Sequence, residues 1–259
     1  MKLWHGTSSR FLDLILEHGL LPKAALEEYG IESGEQHWKE FPSRDECVYL
    51  TDTYPLYFAA SRSEYPEKML IIETEVDEGL LEPDEDFIVQ GLNQTNKLET
   101  QTIWLLKNWQ GVADEDLPSG EDLTFEFCHS IIRDSISLFW GDLADDSIKG
   151  LGTVAHLGPI HETEITRYAL IDMKEQAGIT AISLDPSISV WNKLLLGQRY
   201  SETVRWIFGD RETIPHAFEG MEFAPGKKIE DLHHSIKEQR DGLLRASKNR
   251  KGIEVVNLR

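Results

Sequence analysis

Two periodicities alternate along the first half of this chain. Leu3-Trp4-His5 reads as a short strand, broken by Gly6, after which Phe11, Leu12, Ile15, Leu16 and Leu20 fall at helical spacing. Ser8 or Ser9 is placed to cap that helix, Gly19 to end it, and Pro22 to stop its continuation. Residues 23–46 are polar and carry no clear period, so they read as a long surface loop with one short helix. Val48-Tyr49-Leu50-Thr51 is a β-rich run, and Asp52 or Thr53 then caps a helix over Pro55–Ser63. Met69–Val76 is the clearest strand, and its second half alternates. Residues 81–91 read as an acidic turn leading into a short strand.

A helical insert over 92–149 is expected next, because Leu98–Trp109 and Leu123–Ile136 both carry apolar residues at helical spacing. Strands return at Leu151–Leu157 and Ile165–Asp172, with one more apolar run at Ile179–Leu184. Trp191–Phe208 and Ile229–Ser247 read as helices. Short strands separated by single helices, then adjacent strands, define an α+β class. The division expected is a domain over 1–175 that carries the insert, and a mostly helical extension with a basic tail over 176–259.

Composition narrows the class. The 259 residues are 40% hydrophobic, enough for a real core, and carry a formal net charge of −20. Such a balance argues against a general polyanion binder, which needs clustered Lys and Arg. Only Lys237–Arg259 is locally basic, with seven basic against three acidic residues. It reads as a solvated tail or as a guide strip for an anionic acceptor. No stretch approaches the ~20 apolar residues of a membrane span. The start lacks the apolar core of a secretory signal, and Cys47 and Cys128 are too few for a disulfide framework. A cytoplasmic location is expected.

Several chemistries lack their residues. There is no P-loop, no Gly-x-Gly-x-x-Gly opening a helix and no Gly-x-Ser-x-Gly elbow. His156, His161 and Glu162 lack the spacing of a metal site, and His233-His234 reads as a solvated helix face, so no metal is expected. The acidic residues between Glu78 and Asp86 read as surface, and Trp104 and Trp109 as core.

Three pieces recur in a recognisable order: His5-Gly6-Thr7 on the first strand, the helix ending in His18-Gly19-Leu20, and Val48-Tyr49-Leu50-Thr51 before a helix. Together with Leu70–Asp77, and with Gly158-Pro159-Ile160 leading to Ile165-Thr166-Arg167, they resemble the ADP-ribosyltransferase superfamily, including bacterial and phage toxin-type members. The likeness spans about residues 3–91 and 150–172. It implies a split β-sheet core, NAD as substrate, and transfer of ADP-ribose to a protein or nucleic acid, in the setting of conflict between bacteria and phages. By resemblance, His5 bonds a ribose hydroxyl, Gly6 meets the carboxamide through its backbone, Thr7 or Ser8 bonds the ribose edge, and Tyr49 stacks on the nicotinamide. The chemistry fits, because breaking the nicotinamide–ribose bond builds oxocarbenium-like charge that the site must orient and stabilise.

One position departs from the family. Active members place a Glu on the late strand, where this chain has Thr153. The nearest carboxylates, Glu162 and Glu164, follow the Gly-Pro turn with Glu-x-Glu spacing; Glu164 is the expected base and Glu162 the residue facing the acceptor. Two alternatives stand beside transfer from NAD: an RNA 2′-phosphotransferase-like enzyme, which needs no such Glu, and a non-catalytic module that binds NAD, ADP-ribose or a protein.

Overall fold

A computed structural model describes residues 1–31, 43–87, 98–108, 110–124, 127–128, 130–131, 140–175, 200–214, 245 and 250–259. Seven strands form one antiparallel sheet: β1 (Lys2–Ser8), β2 (Cys47–Thr51), β3 (Met69–Glu75), β4 (Leu81–Pro83), β5 (Thr153–Leu157), β6 (Ile165–Ile171) and β7 (Ile253–Asn257). Their order is β4-β5-β2-β1-β3-β6-β7. The α+β class is therefore observed. The described helices are α1 (Leu12–His18), α2 (Lys23–Leu26), α3 (Pro55–Arg62), α4 (Leu98–Asn108) and α5 (Trp140–Gly150), and residues 200–207 are also helical.

Both faces of the sheet are covered, which explains the unbroken apolar run at the start of β3. Met69 and Ile71 join a core with Leu56 and Ala59 of α3 and with Val204 and Trp206. Leu70 and Ile72 point the other way, into a core with Ile15 of α1, Leu20, Ile148 and Ile160.

The ladder is uneven at its centre. β1 pairs with β3 from Lys2↔Glu75 to Ser8↔Met69, and β2 pairs with β5 from Cys47↔Leu157 to Thr51↔Thr153. β1 and β2 meet at one register alone, Trp4↔Thr51. Beyond it the two halves of the sheet part along a seam.

Gly6 does not break β1, which runs on to Ser8. The reason for glycine is packing: a Cβ there would lie 1.9 Å from the Pro55 carbonyl oxygen and 2.8 Å from the Ala59 nitrogen. Helix α3 crosses β1 on that bare backbone. Gly19 does similar work at the end of α1, with φ of 79° and no room for a Cβ beside the Ile160 carbonyl oxygen, 2.0 Å away. It lets Leu20 bridge to Ile160. The cap of α3 differs from expectation. Neither Asp52 nor Thr53 caps it: the N-cap is Tyr54, with no side-chain cap bond, and Pro55 opens the helix. Thr51 Oγ1 orders the turn just before it by accepting from the Thr53 and Tyr54 amides at 3.0 and 2.9 Å.

Some described residues within the ranges of the expected insert and extension join the sheet and its core. Helix α4 matches the first expected helix of the insert, whereas α5, which the pattern missed, buries Ala144 and Ile148 in the sheet core. Residues 200–208 pack on the α3 side, and Ile253–Asn257, read as part of a basic tail, is a strand beside β6. Arg167 fastens this region: it bonds Glu73 of β3 at 2.7 Å and Asp210 at 2.9 Å, and lies over the Phe208 ring. Of the other expected elements, 88–91, Trp109, most of 123–136, Ile179–Leu184, 191–199 and nearly all of Ile229–Ser247 with His233 and His234 lie outside the described residues.

Candidate active site at the seam

The seam brings His5 of β1 to Tyr49 of β2. His5 Nδ1 lies 2.9 Å from the Tyr49 carbonyl oxygen, and a carbonyl only accepts, so Nδ1 carries the proton. Burial pushes the His5 pKa below its ordinary value, the Arg62 cation adds to the shift, and the bond to Tyr49 opposes it. The ring is neutral at pH 7, with Nε2 as a bare acceptor that has no partner among the described residues. Such a nitrogen is suited to a ligand hydroxyl.

The Tyr49 side chain is anchored at its far end. Its hydroxyl accepts from the Arg44 amide at 2.7 Å and donates to Glu85 Oε2 at 2.6 Å. Burial and the Glu85 charge push its pKa far up, so Tyr49 is no proton donor or base near neutrality. The buried Arg44 guanidinium bonds Glu85 and Glu82 and reaches the Pro83 carbonyl oxygen at 3.5 Å. Burial, with the Asp84 charge beside it, raises the Glu85 pKa, against the pull of Arg44 and Tyr49.

The other expected residues divide. Thr7 is buried next to His5 in β1. Ser8, expected at the ribose edge, is spent elsewhere: it is fully buried, donates to Glu67 Oε2 at 2.5 Å and accepts from the Arg10 amide at 3.3 Å. Gly6 owes its lack of a side chain to α3, as above. Thr153 opens β5 opposite Thr51, buried, and its Oγ1 has no hydrogen-bond partner among the described residues. An unsatisfied buried hydroxyl costs about 1–3 kcal/mol.

Glu162 and Glu164 lie apart from this group. They form a short 3-10 turn against the end of α1, where the Glu164 carboxylate accepts from the His161 amide at 2.9 Å. Neither bonds His5 or Tyr49 among the described residues.

His156 is buried in β5, its Nδ1 3.2 Å from the Gly158 carbonyl oxygen, and among the described residues no group of three His, Cys, Asp or Glu is placed to hold a metal. Burial pushes the Cys47 thiol up to about 12, so it is no nucleophile. No described helix is long and apolar enough to cross a membrane.

The residues that sequence reasoning missed are Arg44, Glu82 and Glu85. The signal for the two glutamates was an acidic cluster directly after a strand, in which nothing local told Glu85 and Asp84, both buried, from solvated neighbours. Arg44 carried no signal of its own. No family model matches the sequence, and no curated protein or solved structure matches the chain.

Proposed function

We propose that the protein binds NAD along the β1–β2 seam and transfers its ADP-ribose to a macromolecular acceptor, protein or nucleic acid. The observation that carries the reading is the seam itself. A sheet joined at Trp4↔Thr51 alone, with a neutral His5 and a tethered Tyr49 at its lips, suits the split core that the sequence resemblance implies.

In this reading His5 Nε2 accepts a ribose hydroxyl, and the Tyr49 ring is the platform for nicotinamide. Thr7 and the backbone of Gly6 line the ribose and carboxamide side, and Thr153 offers its unspent hydroxyl. The N-glycosidic bond breaks with its electron pair going to the departing nicotinamide, and an acceptor nucleophile bonds the ribose C1′ and gives up its proton. Glu162 and Glu164 lie apart from His5 and Tyr49, so in this reading the proton the acceptor gives up passes to water. A second reading, binding without transfer, is favoured by one feature: Thr153 cannot supply the charge a Glu would.

Incubation with labelled NAD and a cell lysate tests both. Label in protein or nucleic acid establishes transfer and its acceptor class. NAD bound in calorimetry without label or hydrolysis selects the binding module, and no NAD binding at all removes the seam reading.

A further inference from the structure

The tie between Tyr49 and Glu85 spans an unusual distance for a sheet. In register, Tyr49 of β2 faces Ala155 of β5, and Ala155 faces Glu82 of β4. Strands β2 and β4 are thus two spacings apart, about 9.6 Å. The single methyl of Ala155 leaves the middle strand low, so the tyrosine hydroxyl reaches over it to Glu85, just beyond β4.

Charges of this kind are costly to bury, and well-packed apolar residues in their place are often as stable or more so. Arg44 and Glu85 are nonetheless both buried under one hydroxyl. What the arrangement supplies is geometry. A ring tied at its hydroxyl by a donor at 2.7 Å and an acceptor at 2.6 Å cannot swing about its side-chain torsions. Its plane is fixed on the face of the sheet that Thr51 and Ala155 share, on the seam strand whose carbonyl meets His5.

We propose that Glu85 is a positioning residue for the NAD site: it fixes the plane of the Tyr49 ring through the hydroxyl, and Arg44 holds Glu85 in place. This rests on the NAD reading above. Glu85 does not touch the substrate; its effect passes through Tyr49.

NAD affinity measured by calorimetry tests it on the full chain. Tyr49→Phe, which removes one oxygen and keeps the ring, and Glu85→Ala should each weaken NAD binding by about 3- to 10-fold, the worth of one hydrogen bond. The double variant should be no weaker than either single one, because both delete the same tie. Glu85→Ala and Glu85→Gln remove the same charge, but Gln keeps an oxygen for the Tyr49 O–H, so Glu85→Gln should bind within about twofold of the unaltered protein. A merely structural Glu85 gives no such rescue and no such coupling. Should Glu85→Ala fail to fold, Tyr49→Phe and Glu85→Gln still decide. Unchanged NAD affinity in Tyr49→Phe, additive losses in the double variant, or a Glu85→Gln loss beyond that of Tyr49→Phe overturns the positioning role while the NAD reading stands. An unaltered protein that binds no NAD overturns both.

Discussion

The imidazole of His5 donates to the main-chain carbonyl of Tyr49 across 2.9 Å, at the point where the ladder between β1 and β2 has already stopped. A side chain thus bridges what backbone pairing leaves open, and the same bond fixes which ring nitrogen is offered outward.

That bond gives His5 a pH signature. Its folded pKa lies below the ordinary value of 6.5, so between the two values the unfolded chain holds the extra proton. The contribution of His5 to stability is therefore complete above about pH 6.5 and is lost as pH falls toward the folded value. Urea titrations at pH 7.5 and pH 5.5 should show the unaltered protein losing more stability on acidification than His5→Gln. For the ligand, His5→Ala should weaken NAD binding by about 1–3 kcal/mol, read by calorimetry at pH 7.5.

Gly6 is a test of packing and not of ligand contact. With the Pro55 carbonyl oxygen 1.9 Å from where a Cβ would sit, even Gly6→Ala must push α3 off β1. The expected loss is about 2–3 kcal/mol, measured as a lower denaturation midpoint with an unchanged slope. Retained stability would show that α3 moves freely.

Arg167 answers to the buried carboxylate of Glu73. Burial works against that charge, but hydrogen bonds from Arg167 and Thr166 hold its pKa below the ordinary value. Arg167→Met should cost about 2–3 kcal/mol at pH 7, less than a fully stranded buried charge because Lys2 stays 3.2 Å from Glu73. The loss should shrink as pH falls through the ordinary Glu value of 4.5 toward the folded one, where the carboxylate is neutral in both states. Chemical denaturation of the pair at pH 7 and pH 3.5 checks it.

Truncation after Asn249 should lower the melting temperature by several degrees, since it strips β7 from β6 and exposes the β6 edge. A simple solvated tail would instead leave the melting curve where it was.

Much of the fold was legible because its signals are local. Met69–Val76 reads as the clearest strand and β3 runs Met69–Glu75, and the Gly19–Pro22 stop ends α1 as the pattern requires. Helix α5 was not legible. Its buried stripe is Ala144, Ser147 and Ile148, too small and polar to register as an apolar face. Strand β7 hid in a run of basic residues, and Ile253, Val255 and Val256 gain meaning only beside β6. In the candidate site, His5 and Tyr49 announced themselves as a pair of short motifs. Glu85 did not, because what distinguishes it from a surface acid is an arginine 41 residues earlier in the chain.

A sheet that opens in its middle has four rims rather than two. Past Trp4↔Thr51, the facing sides of β1 and β2 are edges in the hydrogen-bonding sense, although they lie at the centre of the strand order. Free edges invite strand addition by other chains, and proteins commonly blunt them by bulges, charges or cover. Here the two inner rims face each other inside one molecule, with the His5 imidazole spanning the gap between them. The centre of the sheet thereby offers main-chain donors and acceptors without becoming a template for aggregation.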